Sequence, residues 1–506
     1  MNELTISYKQ FGAVGDGVTD DFAAICKAHE EANRTGAKVL GEAGATYLIR
    51  HAEAPAIIRT DVDWCGAKFI VDNRHILPDS KDRSVWIFEL AHDSAPESIS
   101  VPEGMTLTAG QSRIDLPLGR PCLLKIQDQG ERIYSRWGEN ANGGVPRQEM
   151  ILVDKDGNVD PTTPIQYDYK AVTDITAYAS DDTPITVENA SFVTLVCDPR
   201  EVDPAYTNHY CYHNRGIHIM RSNALISRVN SDKQGEHETV GVPYNAFYRF
   251  DKCYNVELRD SEICGQRAYS FMDVNKHTGA QTRNEMGSYS INMNDCIDVR
   301  FINLTQVEDG RTGEDVITNR KRYHGVMGSN FCRDLYMEGC YLDRFDSHQG
   351  AYNATVRDST IGFSILIIGG GTLLVENCKF LRGYGGDGAM VHLRGDYNSI
   401  FDGDVIVRGC VGSPAIKTLV EGRWHSFYGG LPNYMIRTLT VDGIEVHADE
   451  FVLLRYNSLT NEAPTDEVNP AYLPTKVTVR GINVKPTLFL AGQEKAFADT
   501  EFIVEA

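Results

Sequence analysis

The chain has 506 residues, of which 42% are hydrophobic, and a formal net charge of −21. The apolar content suffices for a long buried core, yet no uninterrupted apolar run approaches the roughly 18 residues of a membrane-spanning helix. The acidic balance argues against nucleic acid as a partner, while a local basic cleft that takes an acidic sugar polymer stays compatible with it.

Residues 1–87 read as an N-terminal cap and first coil or coils. The opening residues lack the basic and apolar regions of a signal peptide, so a cytoplasmic protein is expected, or a secreted one if a leader was trimmed. Gly12, Gly15 and Gly17 mark a loop, and Thr19-Asp20-Asp21 a helix N-cap region. Phe22 to Asn33 has helical periodicity that stops near Gly36, and Gly44 to Ile49 follows as a strand. The segment Phe11-Gly-Ala-Val-Gly-Asp-Gly-Val-Thr-Asp-Asp21, followed by Gly44-Ala-Thr-Tyr47, resembles the N-terminal signature of the pectate-lyase-like superfamily. That group contains polygalacturonase-like glycoside hydrolases, polysaccharide lyases and tailspikes. The resemblance implies a right-handed parallel β-helix whose end this segment closes, with structural roles for Asp16, Asp20 and Asp21. It also implies a sugar cleft along the first sheet.

Residues 88–180 interrupt the pattern with alternating segments (Leu123 to Ile126, Met150 to Val153), a turn at Asp156-Gly157 and a glycine-rich stretch at Asn140 to Gly144. They read as a small inserted β subdomain, in which Arg136 and Trp137 are expected to pack. From 181 to 484 a short motif recurs: apolar, any residue, Asn/Asp/Gly, then small or apolar. Its third places are Asn189, Asp260, Asn303, Gly339, Asp358, Asn377, Gly409, Gly443 and Gly481, with Arg228 as a variant. Asn, Asp and Gly enter the left-handed αL region at low cost, so each instance is a strand, a one-residue corner and a strand. Successive instances lie 39, 32, 43, 36, 19, 19, 32, 34 and 38 residues apart. Nineteen residues hold three short strands and three turns but not a propeller blade, so the spacing predicts a parallel β-helix. The expected fold is all-β: a right-handed parallel β-helix of about ten or more coils, an N-terminal capping helix, the inserted subdomain, and a C-terminal cap over 485–506.

Twelve cysteines include Cys340, Cys378 and Cys410 at one equivalent place, and Cys253, Cys296 and Cys332 at another. Neither zinc-ligand spacing nor a CxxC occurs, and no carboxylate cluster is built for calcium, so stacked buried thiols are expected, with no metal and no cofactor.

The corner joins two strands tightly, so inserted length falls in the other turns, at 232–245, 264–287, 307–322, 343–350 and 381–388. These loops are expected to wall a groove centred between Arg320 and Tyr352. Two carboxylates are needed for glycoside hydrolysis. Asp343 and Asp346, three apart in a short loop, are the candidate pair, with Asp309 or Glu285 as substitutes and His348 and His324 tuning the protons. Arg320 and Arg322 are candidates to hold a substrate carboxylate or sulfate. Lys276, Tyr352, Asn353, Tyr384 and His392 complete the expected substrate-binding set. A lyase would use the same groove differently: Lys276 or His324 as base, Arg322 as neutraliser and Tyr352 as acid. The chain lacks the Gly-His-Gly and Arg-x-Lys of polygalacturonases in this region; Tyr323-His-Gly325 comes nearest. The leading expectation is a glycoside hydrolase acting on a polysaccharide or oligosaccharide as a monomer or homotrimer. A polysaccharide lyase, or a glycan-binding, tailspike-like protein without turnover, is the alternative.

Overall fold

The structure is a computed structural model. It describes residues 4–76, 80–116, 118–134, 144–196, 212–236, 244–274, 279–319, 325–383, 388–397, 399–424, 433–459 and 471–505. The fold is a right-handed parallel β-helix with a capping helix and an inserted β subdomain. Two compact units divide it: 1–93, 180–293 and 300–328 form one, and 94–179, 294–299 and 329–506 the other. Among the described residues no helix is long and apolar enough to cross a membrane.

The first unit opens with the cap. The Asp21 carboxylate accepts the backbone N–H groups of Val14 (2.7 Å) and Gly15 (3.1 Å), and Asp16 accepts those of Val18 (2.8 Å) and Thr19 (2.7 Å). Asp20 accepts Phe22 N–H at 3.2 Å and His51 N–H at 3.0 Å. The three aspartates therefore fold the loop onto the helix Phe22–Thr35, which buries Phe22, Ile25, Ala28, His29 and Ala32. The strands Val62–Asp72, Ile185–Leu195 and Ala224–Gln234 then pair in parallel, with Val62, Val187, Ile226 and Leu258 in one column. Phe69 stacks on Phe192 with centroids 4.7 Å apart and planes 11° apart. The expected loop at 264–287 carries an antiparallel hairpin of its own, Tyr269–Val274 with Gln281–Met286.

The second unit joins the inserted subdomain to a stack of coils. The subdomain is a four-stranded antiparallel sheet built from Glu97–Ile99, Cys122–Ile133, Val145–Val153 and Asp174–Ala179. Its core holds Ile114, Leu124, Ile126, Ile151 and Ile175. In the coils, one sheet contains Ile365–Ile367, Ala389–Leu393, Thr418–Arg423 and Val452–Asn457. A second contains Phe345–Arg357, Gly369–Glu376, Phe401–Arg408, Thr438–Asp442 and Lys476–Arg480. A third is made of two-residue strands such as Thr360–Ile361 and Lys379–Phe380. Parallel register stacks like on like. Leu335, Ala354, Leu373, Val405, Leu439 and Val477 form one buried column of the second sheet, and Met337, Val356, Val375, Val407, Val441 and Val479 the next. Two-residue alternation of the strand sends these inward and their neighbours outward.

All ten corner residues, Arg228 included, have φ between 49° and 64°. The polar ones also bond to the coil before: Asn377 Nδ2 donates to Asp358 Oδ1 at 3.1 Å, and Asn303 Nδ2 to Asp260 Oδ1 at 2.9 Å. At Gly409 a Cβ would lie 2.4 Å from Asn377 Oδ1, so the stacked amide itself demands glycine there. A second series of αL residues, Asn223, Asn255, Asp298, Asp334 and Asn353, recurs earlier in the coils, mostly as bends within strands. Cys340, Cys378 and Cys410 are buried as expected, with Cys378 N–H donating to Cys410 Sγ at 3.4 Å. All ten described cysteines are free.

Candidate active site

In the second unit a cavity of about 630 Å³ lies between the outer face of the second sheet and the inserted subdomain. Its size falls within the usual range for a ligand pocket. The floor comes from Tyr352, Gly370 and Asp402, which stand in one register column, and from Thr372 and Asp404 in the next. Gly369, Gly370 and Gly371 leave one strand of that floor without side chains, so its backbone lies open between Tyr352 and Asp402. The subdomain supplies Arg132, Tyr134, Arg147 and Tyr167, and Tyr434 and Arg437 close one end.

Each wall residue is fixed. Arg147 lies over the Tyr167 ring (5.5 Å), donates to the Asp168 carbonyl (2.7 Å) and pairs with Glu131. Tyr434 stacks on Tyr472 at 4.7 Å. Tyr134 packs with Ile368, Tyr397 and Ile400 and meets the coil at Gly350, where a Cβ would lie 2.7 Å from the Tyr134 ring. Burial pushes the Tyr134 phenol up to about 12, so it is a neutral donor or acceptor at any working pH. Behind this wall, Glu149 is buried and accepts the N–H groups of Gln166 (2.9 Å) and Tyr167 (3.3 Å). Arg333 Nη1 stands 3.7 Å from Glu149 Oε2 and donates to the Pro164 carbonyl at 3.0 Å. Desolvation outweighs these bonds and raises the Glu149 carboxyl to about 7.

Asp402 and Asp404 are the carboxylates on the cavity floor. Two residues apart on one strand, they leave the same face from backbone positions about 6.6 Å apart, at roughly 3.3 Å per residue. Arg437 grips Asp402 through Nε (2.5 Å) and Nη2 (3.0 Å). The Thr438 hydroxyl donates to Asp404 Oδ1 at 2.7 Å. Such an arrangement offers two carboxylates, an aromatic platform and a cation to one ligand.

The residues expected from the sequence divide as follows. Tyr352 and Asn353 line the cavity. Asn353 is held in the second αL series, donating to Asp334 Oδ1 (2.8 Å) and accepting Thr372 N–H (2.9 Å). The segment 343–350 is not a loop, since most of it belongs to the strand Phe345–Arg357. Asp346 shares a column with Leu366 and His392, and both Asp343 and Asp346 are buried. Arg394 Nη1 donates to Asp346 Oδ1 at 2.5 Å, and Arg344 approaches Asp346 at 3.8 Å and Asp343 at 3.6 Å. His348 Nε2 is 3.9 Å from Asp346 and its ring lies over Tyr397, while His392 is 3.7 Å from Glu421. Glu285 and Asp309 belong to the first unit, Glu285 opposite Ser270 in the hairpin and Asp309 exposed, 3.6 Å from Arg267. Lys276, Arg320, Arg322, His324 and Tyr384 lie outside the described residues.

Sequence reasoning missed Asp402, Asp404, Arg437, Tyr434 and the subdomain wall. The signal was present in Gly369-Gly370-Gly371 and Asp402-Gly403-Asp404, whose alternation puts both carboxylates on one face of a strand.

No family model matches the chain, and no curated protein does. Among solved structures, the Pseudomonas phage phi297 tailspike gp61 is similar, with a TM-score of 0.54, 12% identity, and coverage of 99% of this chain and 84% of that one. The Acinetobacter baumannii bacteriophage AP22 tailspike gp54, solved in complex with A. baumannii capsular saccharide, gives 0.53 and 11%, over 98% and 79%. The Pseudomonas phage LKA1 tailspike gp49 gives 0.52 and 13%, over 96% and 82%. At these identities the likeness establishes the fold.

Proposed function

We propose that the protein is a glycoside hydrolase that binds a glycan in the cavity over the second sheet and cleaves it between Asp402 and Asp404. The observation that carries this reading is the pair itself: two carboxylates on one strand face of the cavity floor, with backbone positions about 6.6 Å apart, a spacing from which the side chains can reach the roughly 6.5–9.5 Å that leaves room for a water in inverting hydrolysis. Asp402, clasped by Arg437, suits the base that takes a proton from water. Asp404, bonded to the Thr438 hydroxyl, suits the acid that protonates the departing glycosidic oxygen. The Tyr352 and Tyr434 rings and the glycine strip of the floor suit the apolar faces of sugar rings. The saccharide complex of the AP22 tailspike supports a glycan as the ligand class.

Asp402→Asn and Asp404→Asn, tested on a glycan panel by release of reducing ends, are each expected to lower turnover at least about a thousandfold with an unchanged melting temperature. Wild-type rates in both variants would overturn the assignment, and Asp343→Asn and Asp346→Asn then become the pair to test. Products with a new ultraviolet-absorbing double bond would identify a lyase. Binding without turnover in the wild type would identify a glycan-binding protein.

A further inference from the structure

In the first unit, three side chains from separate segments converge beside the cap: His51, His75 and Asp82. His51 follows the strand Thr46–Ile49, His75 follows the strand Val62–Asp72, and Asp82 sits in the short helix Lys81–Ser84. The first two strands are paired in parallel with Ile49 opposite Val71, which delivers both histidines to the same edge. His51 Nδ1 and His75 Nε2 each stand 3.8 Å from Asp82 Oδ2. One ligand atom from each residue lies within 4.8 Å of the others, and no other set of three or more such side chains among the described residues converges in this way.

The separations are informative. At 3.8 Å neither imidazole makes a hydrogen bond to the carboxylate. Two ligands on a tetrahedral zinc, each at about 2.0–2.1 Å, are separated by about 3.4 Å. The two His–Asp82 gaps are therefore too long for direct bonding and within about half an ångström of that needed to hold an ion, and the third, between the imidazoles, is no more than 4.8 Å. We infer that His51, His75 and Asp82 form a binding site for a divalent ion of the zinc class, with a fourth position open to water. Two imidazoles and one carboxylate are the donors that suit such an ion, and magnesium or calcium would require oxygen ligands instead.

The surroundings keep the ligands in place. Asp20, which accepts His51 N–H at 3.0 Å, fixes the His51 backbone. Asp72 is engaged by Arg50 (2.9 Å) and Arg74 (2.8 Å), and Arg215 is turned toward Asn73 (2.9 Å) and the Arg50 carbonyl (3.0 Å). Arg50 and Arg74 are thus committed to Asp72, and the Nε and Nη2 of Arg215 to Asn73 and the Arg50 carbonyl.

The test uses the full chain, stripped with a chelator and titrated with Co²⁺ as a spectroscopic probe of four-coordinate geometry, then with Zn²⁺ in competition. One equivalent of Co²⁺ with intense visible absorption is expected, displaced by one equivalent of Zn²⁺. His51→Ala and His75→Ala should each weaken binding at least about a hundredfold, Asp82→Asn at least about tenfold, and His447→Ala, an exposed histidine of the second unit, not at all. The ligands lie at the surface, so a circular-dichroism spectrum and melting temperature matching the wild type confirm that each variant folds. Absence of stoichiometric binding, an octahedral spectrum, or undiminished binding in the His51→Ala/His75→Ala double variant would overturn the site.

Discussion

Glu149 gives the most exacting test of the wall that closes the cavity. Its carboxyl is raised from an ordinary 4.5 to about 7 because burial outweighs the Gln166 and Tyr167 N–H groups and the Arg333 guanidinium. Between those two values the folded protein holds a proton that the unfolded chain has released. Stability therefore falls as pH rises through this window, and the loss is complete above about pH 8. A displacement from 4.5 to about 7 corresponds to about 3 kcal/mol. Glu149→Gln removes the titration while keeping an oxygen to accept the Gln166 and Tyr167 N–H groups, and Arg333 retains the Pro164 carbonyl at 3.0 Å and Asp334 at 3.3 Å. Other groups titrate in the same range, so the readout is a difference. Denaturant unfolding of wild type and variant at pH 4 and at pH 8 should show the variant gaining about 3 kcal/mol relative to wild type at the higher pH. Parallel stability curves across that range would show that Glu149 is not a desolvated carboxyl and would refute the reasoning.

Two further outcomes follow from the same unit. Asp346→Asn leaves Arg394 and Arg344 facing a neutral amide in a buried place, so it should cost about 3–5 kcal/mol, in contrast to Asp402→Asn and Asp404→Asn; an unchanged melting temperature would contradict the ion pairing. Gly350→Ala combines φ of +91° with a methyl 2.7 Å from the Tyr134 ring. It should cost about 1–3 kcal/mol and weaken glycan binding by displacing Tyr134, whereas wild-type affinity would mean that Tyr134 does not shape the cavity.

The β-helix was legible because its corners are chemical as well as geometric. Asn, Asp and Gly tolerate αL, and the 19-residue steps at Met337, Val356 and Val375 are too short for a propeller blade. Arg228 was recognisable by position alone; its guanidinium Nε, bonded to Asn189 Oδ1 at 2.7 Å, takes the place of an amide in the stack. The cavity was harder to see. Loop length suggested an edge at 343–350, but Phe345 and Ser347 alternate as a strand there, and Asp346 between them is covered by arginines. The opposing wall starts from Arg132 and Tyr134, about two hundred residues before the sheet it faces, and nothing in local periodicity links Tyr134 to Gly350. The histidine-aspartate set is hidden for the same reason: positions 51, 75 and 82 belong to no linear ligand motif, and pairing of two parallel strands brings them together.

The register of the second sheet also makes the coil a unit of length. Leu335, Ala354 and Leu373 occupy equivalent places 19 residues apart, so excising one such repeat would rejoin Leu335 directly to the column that begins at Leu373. The interior would close with its hydrophobic order preserved, while every residue beyond the cut would advance by one strand spacing, about 4.8 Å. Lys125, 2.7 Å from Asp295 and ahead of the cut, would hold the subdomain back, at the expense of the packing of Tyr134 on Ile368, Tyr397 and Ile400 beyond it. Asp402 and Asp404 would slide past Tyr134 and Tyr167 by one rung. Whole-coil insertion and deletion thus shift the floor of this cavity against its wall in fixed steps, and so change which stretch of a ligand meets the carboxylates, a deletion also taking Tyr352 or the Gly369-Gly370-Gly371 strip with it.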